Sequence, residues 1–222
     1  MTGPEAQRAL IDRLVADAAP VHRLWSPGAR LGLWALLFAV MLAVMCGAIG
    51  WPLGGTARAA WLAWELACAA AAALLWAALA LHAAVPGFGT PRWAPIGATV
   101  LALLPIAFWL DRPASQAEWP LHAFIQRGLP CAEHTVALAI LPSLVLLWAV
   151  HRGAPLAPRR AAAWAGGAAF LSSYVLMRVF CPADDPAHLL IWHVAPMVAG
   201  IAVCAAAGSW WLARWRRSTR TA

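Results

Sequence analysis

Residues 31–49 read LGLWALLFAVMLAVMCGAI, nineteen consecutive positions without a charged side chain. A helix rises about 1.5 Å per residue, so roughly 20 apolar residues cross the ~30 Å hydrocarbon layer of a bilayer. A helix apolar all round its circumference belongs in the core of a large protein or in a membrane, and no soluble domain of 222 residues can put 63% apolar composition inside, so the stretch reads as a transmembrane span. Working outward from it, five similar runs follow at about Ala59 to Leu81, Trp93 to Leu110, Thr135 to Val150, Ala161 to Val179 and Ala187 to Trp211. In a chain of 222 residues they leave only tails and short loops. The composition agrees: 63% apolar, 11% charged and a mean hydropathy of +0.71. Such a balance excludes a disordered chain, a nucleic-acid-binding globule and a secreted disulfide scaffold. The expected fold class is all-α, a polytopic membrane protein built as a six-transmembrane-helix bundle with a short amphipathic helix ahead of it.

The net charge of +7 comes from basic residues that fall between the apolar runs, where they act as topology signals. All 16 are arginine. With the N-terminus inside, twelve lie on the inner side and four, Arg58, Arg112, Arg127 and Arg178, on the outer. That bias predicts cytoplasmic N- and C-termini. The first 30 residues hold acids and prolines but no apolar core, so no cleavable signal peptide is expected. The expected organisation is a cytoplasmic segment over 1–30, a transmembrane domain over 31–211 and a basic cytoplasmic tail over 212–222. The longest outer loop is expected from Asp111 to Pro130, with room for a short interfacial helix and little more.

Thr2-Gly3-Pro4-Glu5 resembles a capping box with proline in the first turn, and the run it opens ends at Pro20. Leu10, Ile11, Leu14 and Val15 recur at helical spacing, with Arg8, Asp12 and Arg13 elsewhere around the helix. The polar residues are of mixed sign, unlike the basic face of a helix that binds anionic lipid. The pattern fits a helix lying in a partner's hydrophobic groove, and equally one packed on the inner ends of the bundle or lying on the bilayer.

Polar residues at membrane depth are costly and each asks for a reason. The outer half is rich in them: Glu65 in the second span, Cys131, Glu133 and His134 opening the fourth, Arg178 and Cys181 closing the fifth, then Asp184, Asp185, His188 and His193. Cys131 and Cys181 emerge on the same side of a helical hairpin and can approach. Two readings stay open for them, a static disulfide tying two helices and a reactive pair. With His134 at i+3 from Cys131, and His188, the thiols form a donor set suited to Zn, Cu(I) or Cd-like ions. Neither CxxC nor HExxH occurs. Glu65 and Arg178 read as an intramembrane polar lock. Cys46, Cys68 and Cys204 read as small core residues.

Several segments together resemble the NrsF family of bacterial inner-membrane anti-sigma factors, which hold an extracytoplasmic-function (ECF) sigma factor at the membrane. They are Leu10-Ile-Asp-Arg-Leu-Val-Ala-Asp-Ala-Ala-Pro-Val21, Glu65, His82-Ala-Ala-Val-Pro-Gly87, Cys131, Arg152-Gly-Ala-Pro155, Cys181-Pro-Ala-Asp-Asp-Pro186 and Trp192-His193. The resemblance runs from about Leu10 to Trp211. It implies a cytoplasmic N-terminal segment that captures the sigma factor, with Leu10, Ile11, Asp12, Leu14 and Val15 as its contacts. It also implies that Cys131 and Cys181 answer heavy-metal or oxidative stress. The expected partners are an ECF sigma factor and the lipid bilayer, with no direct nucleic-acid contact. No constitutive cofactor is expected, a soft metal ion entering as the inducer. No nucleophile, base and orienter fall in register for an enzyme. Two other classes compete: a small metal-ion transporter using Glu65, Arg178 and His193, and a membrane thiol oxidoreductase, for which a cysteine pair 50 positions apart is poor support.

Overall fold

The computed structural model describes residues 3–16, 24–50, 56–87, 89–110 and 120–218, with the side chains of 56–59 and 215–218 left aside. The described residues are helical apart from short turns. Expectations that fall on 17–21, on the loop 111–119 and on 219–222 lie outside them.

Helix α1 (Pro4–Ala16) precedes the bundle. Then come α2 (Pro27–Ile49), α3 (Thr56–Ala83), α4 (Trp93–Leu110), α5 (Leu121–His151) and α6 (Pro158–Phe180). The last helix, α7, opens at Pro186–Leu189, widens through a π-helical turn at Leu190–Val194, continues through Ala195–Val203, widens again at Cys204–Gly208 and ends with Ser209–Ser218. Six of these helices are long and apolar enough to cross a membrane.

Local chemistry sets the boundaries. Ser26 caps α2, its Oγ accepting from the Ala29 amide at 3.2 Å, and Pro27 fills the first helical position, where no amide is needed. The helix stops at Gly50, whose φ of +90° suits a residue without Cβ. Asp185 caps α7 by accepting from the His188 amide at 3.0 Å, again with proline next.

One boundary departs from the sequence expectation. Residues 121–130, expected in the outer loop, are helical, so α5 starts at Leu121 and runs through Pro130. Proline removes one amide from the ladder but leaves the turn intact, and within a bundle neighbouring groups make up the loss. Cys131 and His134 therefore lie in the third and fourth turns of α5 rather than at its start.

Successive spans are antiparallel, which gives the bundle two ends. At one, Arg30 near the start of α2 reaches the Ala149 carbonyl near the end of α5. At the other, Arg178 at the end of α6 meets Glu65 near the start of α3. Helix α6 is the axis: from Ala161 to Val179 nearly every residue is buried, and α3, α5 and α7 pack round it. Small residues permit that closeness, since α3 contributes Ala69, Ala72, Ala73, Ala77 and Ala80 to the core and α6 contributes Ala161, Ala162, Ala165 and Ala168. At Gly167 a Cβ would fall 1.5 Å from the Trp76 ring, and at Gly200 one would fall 1.9 Å from Phe170.

Candidate functional site

Two features stand out, an unpartnered helix face at one end and a buried polar cluster at the other.

On α1 no residue is buried. Leu10, Ile11, Leu14 and Val15 are 58%, 50%, 63% and 69% exposed, although they share one stripe of the helix. Asp12 is exposed behind it. Four aliphatic side chains left exposed gain nothing for the folded chain, and the stripe suits a surface that covers it.

The second feature is built round Arg178, which has no exposed surface. Its Nε donates to Glu65 Oε1 at 2.9 Å and its Nη2 to Asp184 Oδ1 at 2.7 Å. Nη1 donates to the carbonyls of Cys181 and Ala183 at 3.3 and 3.2 Å, which fixes the turn between α6 and α7. The guanidinium lies 5.3 Å from the Trp61 ring centroid and 5.0 Å from that of Trp109, two indoles set edge to face. Tyr174, one turn earlier on α6, donates its hydroxyl to Glu65 Oε1. Glu65 is fully buried, and its Oε2 has no hydrogen-bond partner among the described residues.

Beside this network Cys131, Cys181, His188 and His193 bring one donor atom each within 4.8 Å of one another. Cys131 lies on α5, Cys181 just past α6, and both histidines on α7. The two sulfurs are not joined in a disulfide. Cys181 Sγ is 3.6 Å from His188 Nε2. The Cys131 thiol donating to it, with help from His188 and His193, holds Cys181 well below the usual thiol range, although burial pushes the other way. Thr135 donates to the Cys131 carbonyl at 2.8 Å, and Ser173 to that of Thr135, which ties α5 to α6 at the cysteine.

His193 has no exposed surface, and neither ring nitrogen has a hydrogen-bond partner among the described residues. The return for its lost hydration is its closeness to Cys181, whose ionised form it favours. The π-helical turn brings it here. Five residues of ordinary α-helix place two side chains well apart in rotation, whereas a turn widened over Leu190–Val194 brings His193 round toward His188, with ring centroids 5.5 Å apart. His193 also meets Tyr174 edge to face at 6.1 Å, so the thiol cluster and the Glu65–Arg178 network share a wall.

Of the donor set expected from sequence, the structure brings together Cys131, Cys181 and His188, and leaves out His134. That ring is exposed, with Nδ1 2.6 Å from the Pro130 carbonyl. Three residues on a helix are 60° apart in rotation, enough here to turn His134 off the face that carries Cys131. Glu65, Arg178 and His193, the residues of the transporter alternative, gather at one end of the bundle and do not form a path along it.

A family model described as a negative regulator of sigma F matches residues 14–215, almost the whole bundle. The chain belongs to the NrsF family. Comparisons with curated proteins and with solved structures gave no match. An NrsF chain is a negative regulator of a sigma factor, so a sigma-factor protein is its partner. Within this NrsF chain, sequence reasoning missed Tyr174 and Ser173 and assigned His193 only to the transporter route. Tyr174 is the single tyrosine, in an otherwise apolar and small-residue helix, and that rarity was the available signal.

Proposed function

We propose that this chain is a bacterial inner-membrane anti-sigma factor, with both termini in the cytoplasm, that sequesters an ECF sigma factor on α1 and releases it when the cysteine end is engaged. The observation that carries the reading is the bare aliphatic stripe of α1 on a chain whose family regulates a sigma factor. Leu10, Ile11, Leu14 and Val15 supply the i, i+1, i+4, i+5 anchors of a helix laid in a groove, and Asp12 borders them. The excess of arginine at the α1 end supports the orientation, which puts the thiols on the periplasmic side.

There, heavy-metal or oxidative stress acts on Cys131 and Cys181. The donor set present is two thiols and two imidazoles, His188 and His193, which suits a tetrahedral d10 ion such as Zn²⁺ or Cd²⁺. With ligand bonds of about 2.0–2.3 Å, the donors need to draw in by about an ångström. An oxidant would join the same sulfurs, the Cys131 thiol and the Cys181 thiolate giving up one proton and two electrons to form one disulfide. Either event pulls α5 against the α6–α7 turn, and the Tyr174–His193 contact passes the shift to Glu65 and Arg178. Moving a two-state bundle from about 1:99 to 99:1 needs roughly 5.5 kcal/mol of differential binding, which thiolate coordination can supply.

The test is capture of a co-expressed ECF sigma factor by the detergent-solubilised chain, compared with a chain lacking residues 1–20. Capture by the intact chain alone supports the reading. Equal capture by both removes α1 from it, and capture by neither, with ion flux in liposomes, replaces it with transport.

A further inference from the structure

At the end of the bundle opposite the cysteines, α2 is held by few groups. Arg30 and Trp34 are its buried residues, one turn apart on one face of the helix. Both aim a side-chain donor at the backbone of α5. Arg30 Nη1 donates to the Ala149 carbonyl at 2.9 Å, and Trp34 Nε1 to that of Pro142 at 3.3 Å. Pro142 and Ala149 are two turns apart on a single face of α5. Phe38, a further turn along α2, stacks on Trp34 with ring centroids 6.5 Å apart and lengthens the seam. Helix α3 flanks α2 as well, but the hydrogen bonds of the two buried side chains go to α5.

Packing alone does not call for an arginine here. Its Nε and Nη2 are withdrawn from water and have no hydrogen-bond partner among the described residues. The Ala149 carbonyl and the negative end of α5 offset part of the charge, and the remaining desolvation stands against this arrangement. A contact held at such a cost is readily exchanged for one in which the guanidinium regains water. That suits a joint between two states of a bundle better than a permanent fastening.

Helix α5 is unbroken from Leu121 to His151 and carries Cys131 on its outer part. From Cys131 to Ala149 it rises roughly 27 Å, so one rigid element joins the thiol cluster to the far end of the bundle. The Tyr174–His193 contact spreads a shift among side chains of the cysteine end. The seam with α2 stands at the other end of α5, next to the stretch of chain that leads from Ala16 of α1 to Pro27 of α2.

We infer that Arg30 and Trp34 are positioning residues that tie α2 to α5, so that engagement of Cys131 at one end of α5 moves the start of α2, and α1 with it, at the other. Resting on the capture and sensing proposed above, this joint supplies the route between them.

Two ligands that favour opposite states of one chain weaken each other's binding by the same factor. The test measures the cadmium affinity of the detergent-solubilised full chain by competition with a chromophoric chelator, without and with an ECF sigma factor at a concentration that saturates each variant. In the parent the sigma factor should weaken cadmium binding about tenfold or more. In Arg30→Met and in Trp34→Phe, which keep apolar bulk and delete the donor, the factor should fall to within about twofold of unity while both ligands still bind. Arg30→Met should unfold no more easily than the parent, because a buried charge has gone, so its lost coupling is not lost stability. Gly167→Ala, which disturbs the α3–α6 contact instead, should keep the parent's factor. A factor unchanged in Arg30→Met and Trp34→Phe, or lost equally in Gly167→Ala, would overturn the inference. So would failure of both variants to capture the sigma factor at all, since the joint would then serve capture and not its response. A parent that binds both ligands with no mutual weakening would overturn the sensing reading together with the joint.

Discussion

Replacing Glu65 by Gln keeps the shape of the side chain and deletes the charge that Arg178 faces. The two groups are 2.9 Å apart and neither has any exposed side-chain surface. At an effective dielectric constant of ~20 their attraction is about 6 kcal/mol, set against the cost of bringing both out of water. Breaking one side of a buried pair costs about 3–5 kcal/mol. In Glu65→Gln, Arg178 retains Asp184, two carbonyls and two indole faces, so the loss should sit near the low end, about 3 kcal/mol. Arg178→Gln strands Glu65 with Tyr174 as its single hydrogen-bonding neighbour among the described residues and also removes the contact to Asp184, which places it at about 5 kcal/mol. The double variant should cost less than the sum by roughly 2 kcal/mol or more. Unfolding by sodium dodecyl sulfate in mixed micelles, followed by helical circular dichroism, gives all three values. Additive losses, or a Glu65→Gln variant within about 0.5 kcal/mol of the parent, would refute the reasoning. Glu65→Leu with Arg178→Met should return stability close to the parent's, because a well-packed apolar pair replaces a buried ionic one at little cost. If that variant still releases the sigma factor on cadmium challenge, Glu65 and Arg178 are only structural.

Other outcomes follow from the same geometry. Leu14→Glu leaves the bundle's unfolding unchanged, since Leu14 is 63% exposed, and weakens sigma-factor capture by about ten- to a hundredfold, the worth of one buried leucine, in a pull-down or by calorimetry. His193→Ala lowers cadmium affinity by at least about tenfold while His134→Ala leaves it alone, as measured by competition with a chromophoric chelator; the reverse order would return His134 to the site. Gly167→Ala puts a methyl group 1.5 Å from the Trp76 ring and forces the indole out of the α3–α6 contact, with a loss of about 2 kcal/mol or more in the same micelle assay.

The architecture was legible because bilayer thickness imposes a coarse period on the chain. Each run of apolar residues had to be long, and the structure has six helices of that kind where the sequence placed them. What escaped was finer than that period. Leu121 to Pro130 looked like loop because His122, Gln126, Arg127 and Pro130 break the apolar run, yet the helix is set by its backbone ladder and runs unbroken from Leu121. The exchange of His193 for His134 turned on rotation about a helix axis. Sequence spacing assumes 100° per residue, and the widened turn at Leu190–Val194 breaks that assumption at the position where it matters. Arg30 was counted with the other arginines as a topology signal, and its burial follows from a contact 119 positions away. Partners so distant, like Tyr174 for Glu65, leave no periodic trace in the sequence.

Helix α6 is the least apolar of the six spans and the most enclosed. Its serines, glycines, tyrosine and arginine are met by neighbouring helices and not by lipid. On a translocon scale an arginine at mid-helix costs about 2.5–3.5 kcal/mol, less toward the end where Arg178 stands, and the alanines and glycines around it return little. As it leaves the ribosome, α6 is thus the segment that lipid accepts least readily. Glu65 on α3 and the body of α5 are already made by then, whereas Asp184 and α7 are not. Biogenesis is therefore ordered: α6 enters the membrane against a scaffold of earlier spans, and the polar contacts that later hold the finished bundle first serve as the berth for its most reluctant member.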